Sequence, residues 1–185
     1  CHQAAANDTR IKVTVASTMY DISVVRPTDI STRRTTPTHV MRCAAGSMPS
    51  APKIIGTVRM SVQEVVDPVP ADCAVSCTRY HAYIKTSRRL SRPFAQFHAG
   101  WNATFQPRFL NAPILAYAAE IRSAVMVVHG EKAHSRYMGE DAFKKLQGDN
   151  KRLLIVPGAN HTDLYDKMEI IPFDEIAAFY REYLK

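Results

Sequence analysis

Two stretches of this sequence end an apolar run in residues that can move protons. Ala124-Val125-Met126-Val127-Val128 leads into His129-Gly130-Glu131-Lys132, and Leu153-Leu154-Ile155-Val156 leads into Pro157-Gly158-Ala159-Asn160-His161-Thr162-Asp163. A histidine can take a proton from a nucleophile and return it to a leaving group, because its pKa lies near neutrality. A carboxylate beside it fixes the tautomer and stabilises the imidazolium. The order along the chain, acid and then histidine on successive loops, suits His161 as general base and Glu131 as its orienting acid. The competing reading makes His161 a loop histidine with a structural hydrogen bond and Glu131 a solvated acid.

Such a pair works only if two strand ends present it on one edge. Both apolar runs are continuous rather than alternating, which predicts strands buried on both faces of a parallel sheet covered by helices. Between them a helix is expected, with Glu140 and Asp141 in its first turn, Phe143 and Leu146 on one face and Gly148 as its stop. Strand, helix and strand then make a right-handed βαβ unit. In open parallel sheets ligands gather at the carboxyl ends of the strands, where His161 and Glu131 would stand. A further strand is read in Ile11-Lys12-Val13-Thr14-Val15-Ala16. Ala4 to Ala6 read as the tail of a helix before it, and Asn7-Asp8 as the turn between. The last helix starts at Pro172, with Asp174 and Glu175 in its first turn and an apolar stripe of Phe173, Ile176, Ala177, Tyr180 and Leu184.

Composition bounds the class. The chain has 185 residues, 46% hydrophobic and 22% charged, enough for one domain with a real core. No apolar run approaches the ~20 residues of a membrane span. The formal net charge of +7 is uneven. Residues 22–97 hold eleven Lys and Arg against four Asp and Glu, with three of the four cysteines and seven of the eleven prolines, while the remainder is neutral. A basic excess suggests phosphate-bearing partners, but this stretch has few aromatics among its basic residues and no RNA-binding aromatic signature, zinc-finger spacing or heptad, which argues against nucleic-acid binding. Cys73, Cys77 and His81 share a helical spacing, but no fourth metal ligand is evident, and reduced thiols are expected. The chain begins at Cys1 without a secretory leader, which suggests a cytoplasmic protein and either upstream removal or a fragment.

The runs His129-Gly130-Glu131-Lys132-Ala133-His134-Ser135-Arg136-Tyr137 and Gly158-Ala159-Asn160-His161-Thr162-Asp163-Leu164-Tyr165-Asp166 resemble the carboxyl-terminal part of α/β-hydrolases, in particular a dienelactone-hydrolase-like branch. Ala4 to Lys12, continuing through Ser17-Thr18-Met19-Tyr20-Asp21, resembles the region after that branch's nucleophile. The resemblance covers residues 4–21 and 98–185. It implies an α/β fold, with 1–21 and 98–185 forming sheet and helices of a partial domain and 22–97 an atypical basic insertion or cap. It implies His161 as the catalytic histidine. The acid of many relatives falls near Ala133 or His134, where this chain has none. Glu131 is the nearest carboxylate, and Glu140, Asp141 and Asp163 stay open as alternatives. His129 reads as structural rather than catalytic, and His134, close to the acid position, could be a pocket residue. Trp101, with Phe97, Phe105 and Phe109, could line a substrate pocket or pack in the core.

The family's nucleophile needs Gly-x-Ser-x-Gly, or Cys in place of Ser, and neither occurs here. Cys1 is followed by His2-Gln3 rather than glycine, which speaks against it as the nucleophile. A shifted reading frame across 22–97, or a divergent insertion, would each account for the middle stretch. The leading expectation is a hydrolase of small-molecule esters or lactones, needing no metal or organic cofactor and no membrane, with its nucleophile outside these residues. The alternatives are a non-catalytic fragment or pseudoenzyme, and a basic binding module in residues 22–97. An unpaired sheet edge would favour self-association.

Overall fold

The computed structural model describes residues 1–21, 23, 62–63, 83, 101–102 and 112–184. The chain divides into two compact units, one of Cys1–Asp21 with Pro113–Lys185 and one of Ile22–Ala112. In chain order the elements are helix α1 (His2–Asn7), strands β1 (Val13–Ser17), β2 (Val62–Gln63) and β3 (Trp101–Asn102), a 3-10 turn (Ala118–Glu120), β4 (Ala124–Gly130), α2 (Arg136–Lys145), β5 (Lys151–Val156), α3 (Asp163–Asp166) and α4 (Phe173–Tyr183). Within the second unit β2 and β3 pair antiparallel, Val62 opposite Asn102 and Gln63 opposite Trp101. Cys73, Cys77, His81, Phe97, Phe105 and Phe109 lie outside the described residues, as does most of the basic stretch.

In the first unit the sheet order is β1-β4-β5, all parallel. Val13 to Ser17 register with Ala124 to Val128, and Val125 to Gly130 with Lys151 to Val156. This α/β sheet with flanking helices is the fold expected from the apolar runs. β4 is central, and all seven of its residues are buried. Because side chains alternate across a strand, Val125 and Val127 face a cluster with Ala5, Met19, Leu115, Ala118, Ile121, Ala142 and Leu146. Ala124, Met126 and Val128 face the opposite cluster, with Ala159, Leu164 and Phe179. The sheet is thus covered by α1 and α2 on one side and by α4 on the other.

Three local expectations are corrected. β5 is only half-buried from Leu153 to Val156, because it lies at the edge of the described sheet and lacks a strand on its outer side. α2 begins at Arg136, so Glu140 sits one turn in and pairs with Arg136 at 2.8 Å; no acid occupies the first turn. The chain has left the helix by Leu146, and Gly148 supplies the left-handed backbone (φ 100°) of the following turn. In α4, Pro172 is the cap rather than the first helical residue. The buried face centres on Phe179, with Ile176 and Tyr183 against the same cluster, while Phe173 and Leu184 are exposed. The spacing 176, 179, 183 is equally helical, and it buries a whole aromatic ring that the expected stripe would leave in water.

Candidate active site

Three loops at the carboxyl ends of β1, β4 and β5 converge, and glycine lets two of them touch. A Cβ on Gly130, the last residue of β4, would lie 2.4 Å from the carbonyl oxygen of Ala159. That bare backbone admits the β5 loop, which is fastened by Glu131 N–H to the Val156 carbonyl and Lys132 N–H to the Ala159 carbonyl, each at 2.9 Å. Gly158 turns the chain with φ 70°. The β1 loop is held by Thr18, whose N–H donates to the Val128 carbonyl at 2.9 Å and whose φ of 47° is a left-handed conformation unusual for a β-branched residue.

His161 stands at the centre of this junction, 6% exposed. Its Nδ1 lies 2.6 Å from Ser135 Oγ and its Nε2 lies 2.6 Å from Tyr165 Oη. The imidazole is also packed against other rings: His134 at 5.0 Å, Tyr165 at 5.3 Å and Tyr20 at 5.6 Å between centroids. Burial, and then repulsion from His134 and His129, lowers the His161 pKa to about 4. The ring is therefore neutral at physiological pH and able to accept a proton. Burial also lowers the pKa of His134.

The carboxylates are engaged elsewhere. Glu131, expected to orient His161, accepts the Gly158 N–H at 2.7 Å and so braces the β4 loop against the β5 turn. Glu140 pairs with Arg136, and Asp141 with Lys144 at 3.0 Å. Asp163 accepts the backbone N–H and side-chain amide of Asn160, both at 2.9 Å, and pairs with Lys167 at 2.7 Å. Burial would raise its pKa, but Lys167 and Asn160 outweigh that and hold it at about 2. The two ring nitrogens of His161 thus meet hydroxyls where a carboxylate was expected on one of them. Sequence reasoning assigned no role to Ser135, Tyr165 or Tyr20. Available signals were the four-residue spacing of His161 and Tyr165 and a serine just before a helix.

His134 joins the cluster through its ring, 5.0 Å from that of His161. His129 is fully buried, with no hydrogen bond at either ring nitrogen among the described residues. Burial lowers its pKa to about 4, against a smaller opposing effect of Glu140. It fills space against α2, where a Cβ on Gly139 would lie 2.3 Å from its Cδ2. Cys1 caps α1 and is exposed. Among the described residues no group of three or more His, Cys, Asp or Glu is arranged to hold a metal ion, and no helix is long and apolar enough to cross a membrane.

No protein-family model matches the chain. An uncharacterized protein of Pseudomonas aeruginosa, PA2218, is 36% identical over 183 residues, which are 98% of this chain and 48% of that protein. Its crystal structure matches with a TM-score of 0.88 at 35% identity, over 98% of this chain and 56% of that one. The α/β-hydrolase GrgF from Penicillium sp. sh18 matches with a TM-score of 0.66 at 15% identity, over the whole of this chain and 60% of that one. DcsB, solved with a substrate analogue, matches with a TM-score of 0.68 at 12% identity, over 98% and 60%. The chain thus spans about half the length of PA2218 and has the α/β-hydrolase fold of more distant structures.

Proposed function

We propose that this chain is the histidine-bearing part of a hydrolase that transfers an acyl group from a small ester or lactone to water, with His161 as general base. One observation carries the reading: a buried, neutral histidine, held by hydrogen bonds at both ring nitrogens, at the carboxyl end of a parallel sheet with the α/β-hydrolase fold. The nucleophile is a serine or cysteine on sequence outside these 185 residues, since no Gly-x-Ser-x-Gly or cysteine counterpart occurs within them. Its hydroxyl or thiol would take the place of Tyr165 Oη at Nε2. The nucleophile attacks the acyl carbon while its proton passes to Nε2. The imidazolium then protonates the leaving alkoxide, and water repeats the sequence to release the acid. The dienelactone-hydrolase-like branch remains part of this proposal and rests on the quoted runs alone.

A chain extended upstream is expected to hydrolyse p-nitrophenyl acetate, and His161→Ala to lower kcat by about 10²–10⁴-fold, the contribution of a positioned general base. Unchanged turnover in that variant would remove His161 from the mechanism.

The Tyr165 contact favours a second reading, a non-catalytic fold in which His161 is a structural hydrogen-bonding residue. That reading predicts no saturable turnover from the extended chain. The basic stretch 22–97 as a binding module is a separate proposal, checked by salt-dependent binding to nucleic acid.

A further inference from the structure

The geometry points to Ser135 as the positioning residue that orients His161, in the place where a carboxylate was expected. The inference rests on His161 being the base. Ser135 is fully buried, and its Oγ meets Nδ1 across 26 residues of sequence. It is itself fixed on both sides. Ala133 N–H donates to the Gly130 carbonyl at 3.1 Å, Arg136 N–H to the Ala133 carbonyl at 3.0 Å, and Met138 N–H to the Ser135 carbonyl at 2.9 Å. The hydroxyl is therefore carried on a turn bonded at one end to β4 and continuous at the other with α2.

The contacts at both ring nitrogens together set the proton arrangement. A phenol is a stronger acid than an aliphatic alcohol, which favours Tyr165 O–H donating to Nε2 and a ring proton on Nδ1 donated to Ser135 Oγ. This is the tautomer a general base needs: a bare Nε2 facing the nucleophile and a tethered Nδ1–H behind it. A neutral hydroxyl fixes the tautomer but lends the imidazolium no opposite charge. The burial-lowered basicity of His161 agrees with that difference.

The test is nitrogen-15 NMR of the histidine-labelled 185-residue chain, comparing wild type with Ser135→Ala, Ser135→Thr and Glu131→Gln. Wild-type His161 is expected to be protonated at Nδ1 with a pyridine-like Nε2. Ser135→Ala should mix the tautomers, Ser135→Thr should restore the single form, and Glu131→Gln should leave it unchanged. A wild-type ring protonated at Nε2 would overturn the proposal, as would a tautomer indifferent to Ser135→Ala or shifted by Glu131→Gln. If Ser135→Ala fails to fold, the wild-type tautomer and the Thr and Gln variants still decide. In the extended chain Ser135→Ala should lower kcat by about 10²-fold, the low end of a general-base contribution, with KM little changed and Thr recovering most of the loss. Intact turnover in His161→Ala would sink the base assignment while leaving the tautomer result to judge Ser135 separately.

Discussion

At Tyr165 a single oxygen separates a resting histidine from a working one. The phenol occupies Nε2 at 2.6 Å, where an attacking hydroxyl or thiol must also come. Tyr165→Phe keeps the ring that packs on His161 and removes only the oxygen. If Tyr165 covers the base, kcat for p-nitrophenyl acetate in the extended chain should hold or rise by up to about tenfold, and the His161 pKa followed by NMR should move toward its ordinary value as water reaches Nε2. A fall in kcat comparable to that of His161→Ala would instead give the phenol a part in the chemistry. At this scale the sequence was half legible. The place of His161, at the carboxyl end of a strand, was readable from the apolar run that precedes it. Ser135 was not, because a serine before a helix is ordinarily a cap and its partner lies on another loop. The contact of Glu131 with the Gly158 N–H was hidden for a related reason: proximity along the chain says which loop carries a carboxylate, not which N–H it will satisfy.

Elements were easier to read than their edges. β4 and β5 follow from continuous apolar runs, and α1 from its alanines, since these patterns depend on local propensity and burial. The start of α2 and the buried face of α4 depend on tertiary packing, which moved the helix start to Arg136 and turned Phe179 inward. The α2–β4 contact offers a direct check. Gly139 leaves room for the His129 ring, and a methyl there would lie 2.3 Å from Cδ2. Gly139→Ala is expected to destabilise the fold by about 1–3 kcal/mol, the cost of overpacking a filled core, despite alanine's better helix propensity. The melting temperature measures the loss, and adding His129→Ala should return part of it. A more stable single variant would show that the ring can move aside.

For the whole molecule, the buried histidines set how stability depends on pH. His129 and His161 have native pKa values of about 4, below the unfolded value of 6.5. Between those values the unfolded chain binds more protons than the native one, so stability rises with pH through this window and is fully present above about 6.5. The slope for each histidine approaches about 1.4 kcal/mol per pH unit. Thermal melting should therefore be level near pH 7–8 and fall steadily from pH 6.5 toward 4, less steeply in His161→Gln. Asp163 acts in a lower window. Its native pKa of about 2 lies below the ordinary carboxyl value of 3.8, so its contribution is lost only as pH falls through that interval. A melting temperature constant from pH 7 to 4 would contradict the buried, neutral state of both histidines. The fold class was legible at this scale, whereas the extent of the protein was not. The match to PA2218 over 183 residues spans the basic middle stretch as well as the two ends.

The hydroxyl at each nitrogen of His161 has one more consequence. A carboxylate–imidazole pair places a formal charge at the reacting centre, and dissolved ions respond to charge. At rest Ser135, His161 and Tyr165 form a chain of neutral dipoles, with Ser135 and His161 buried from counter-ions and Tyr165 half-buried. Raising ionic strength should leave this relay almost untouched. Any effect of salt on turnover would then report how the chain's net charge of +7 gathers or repels charged substrates, separating the approach of the substrate from the transfer of the nucleophile's proton.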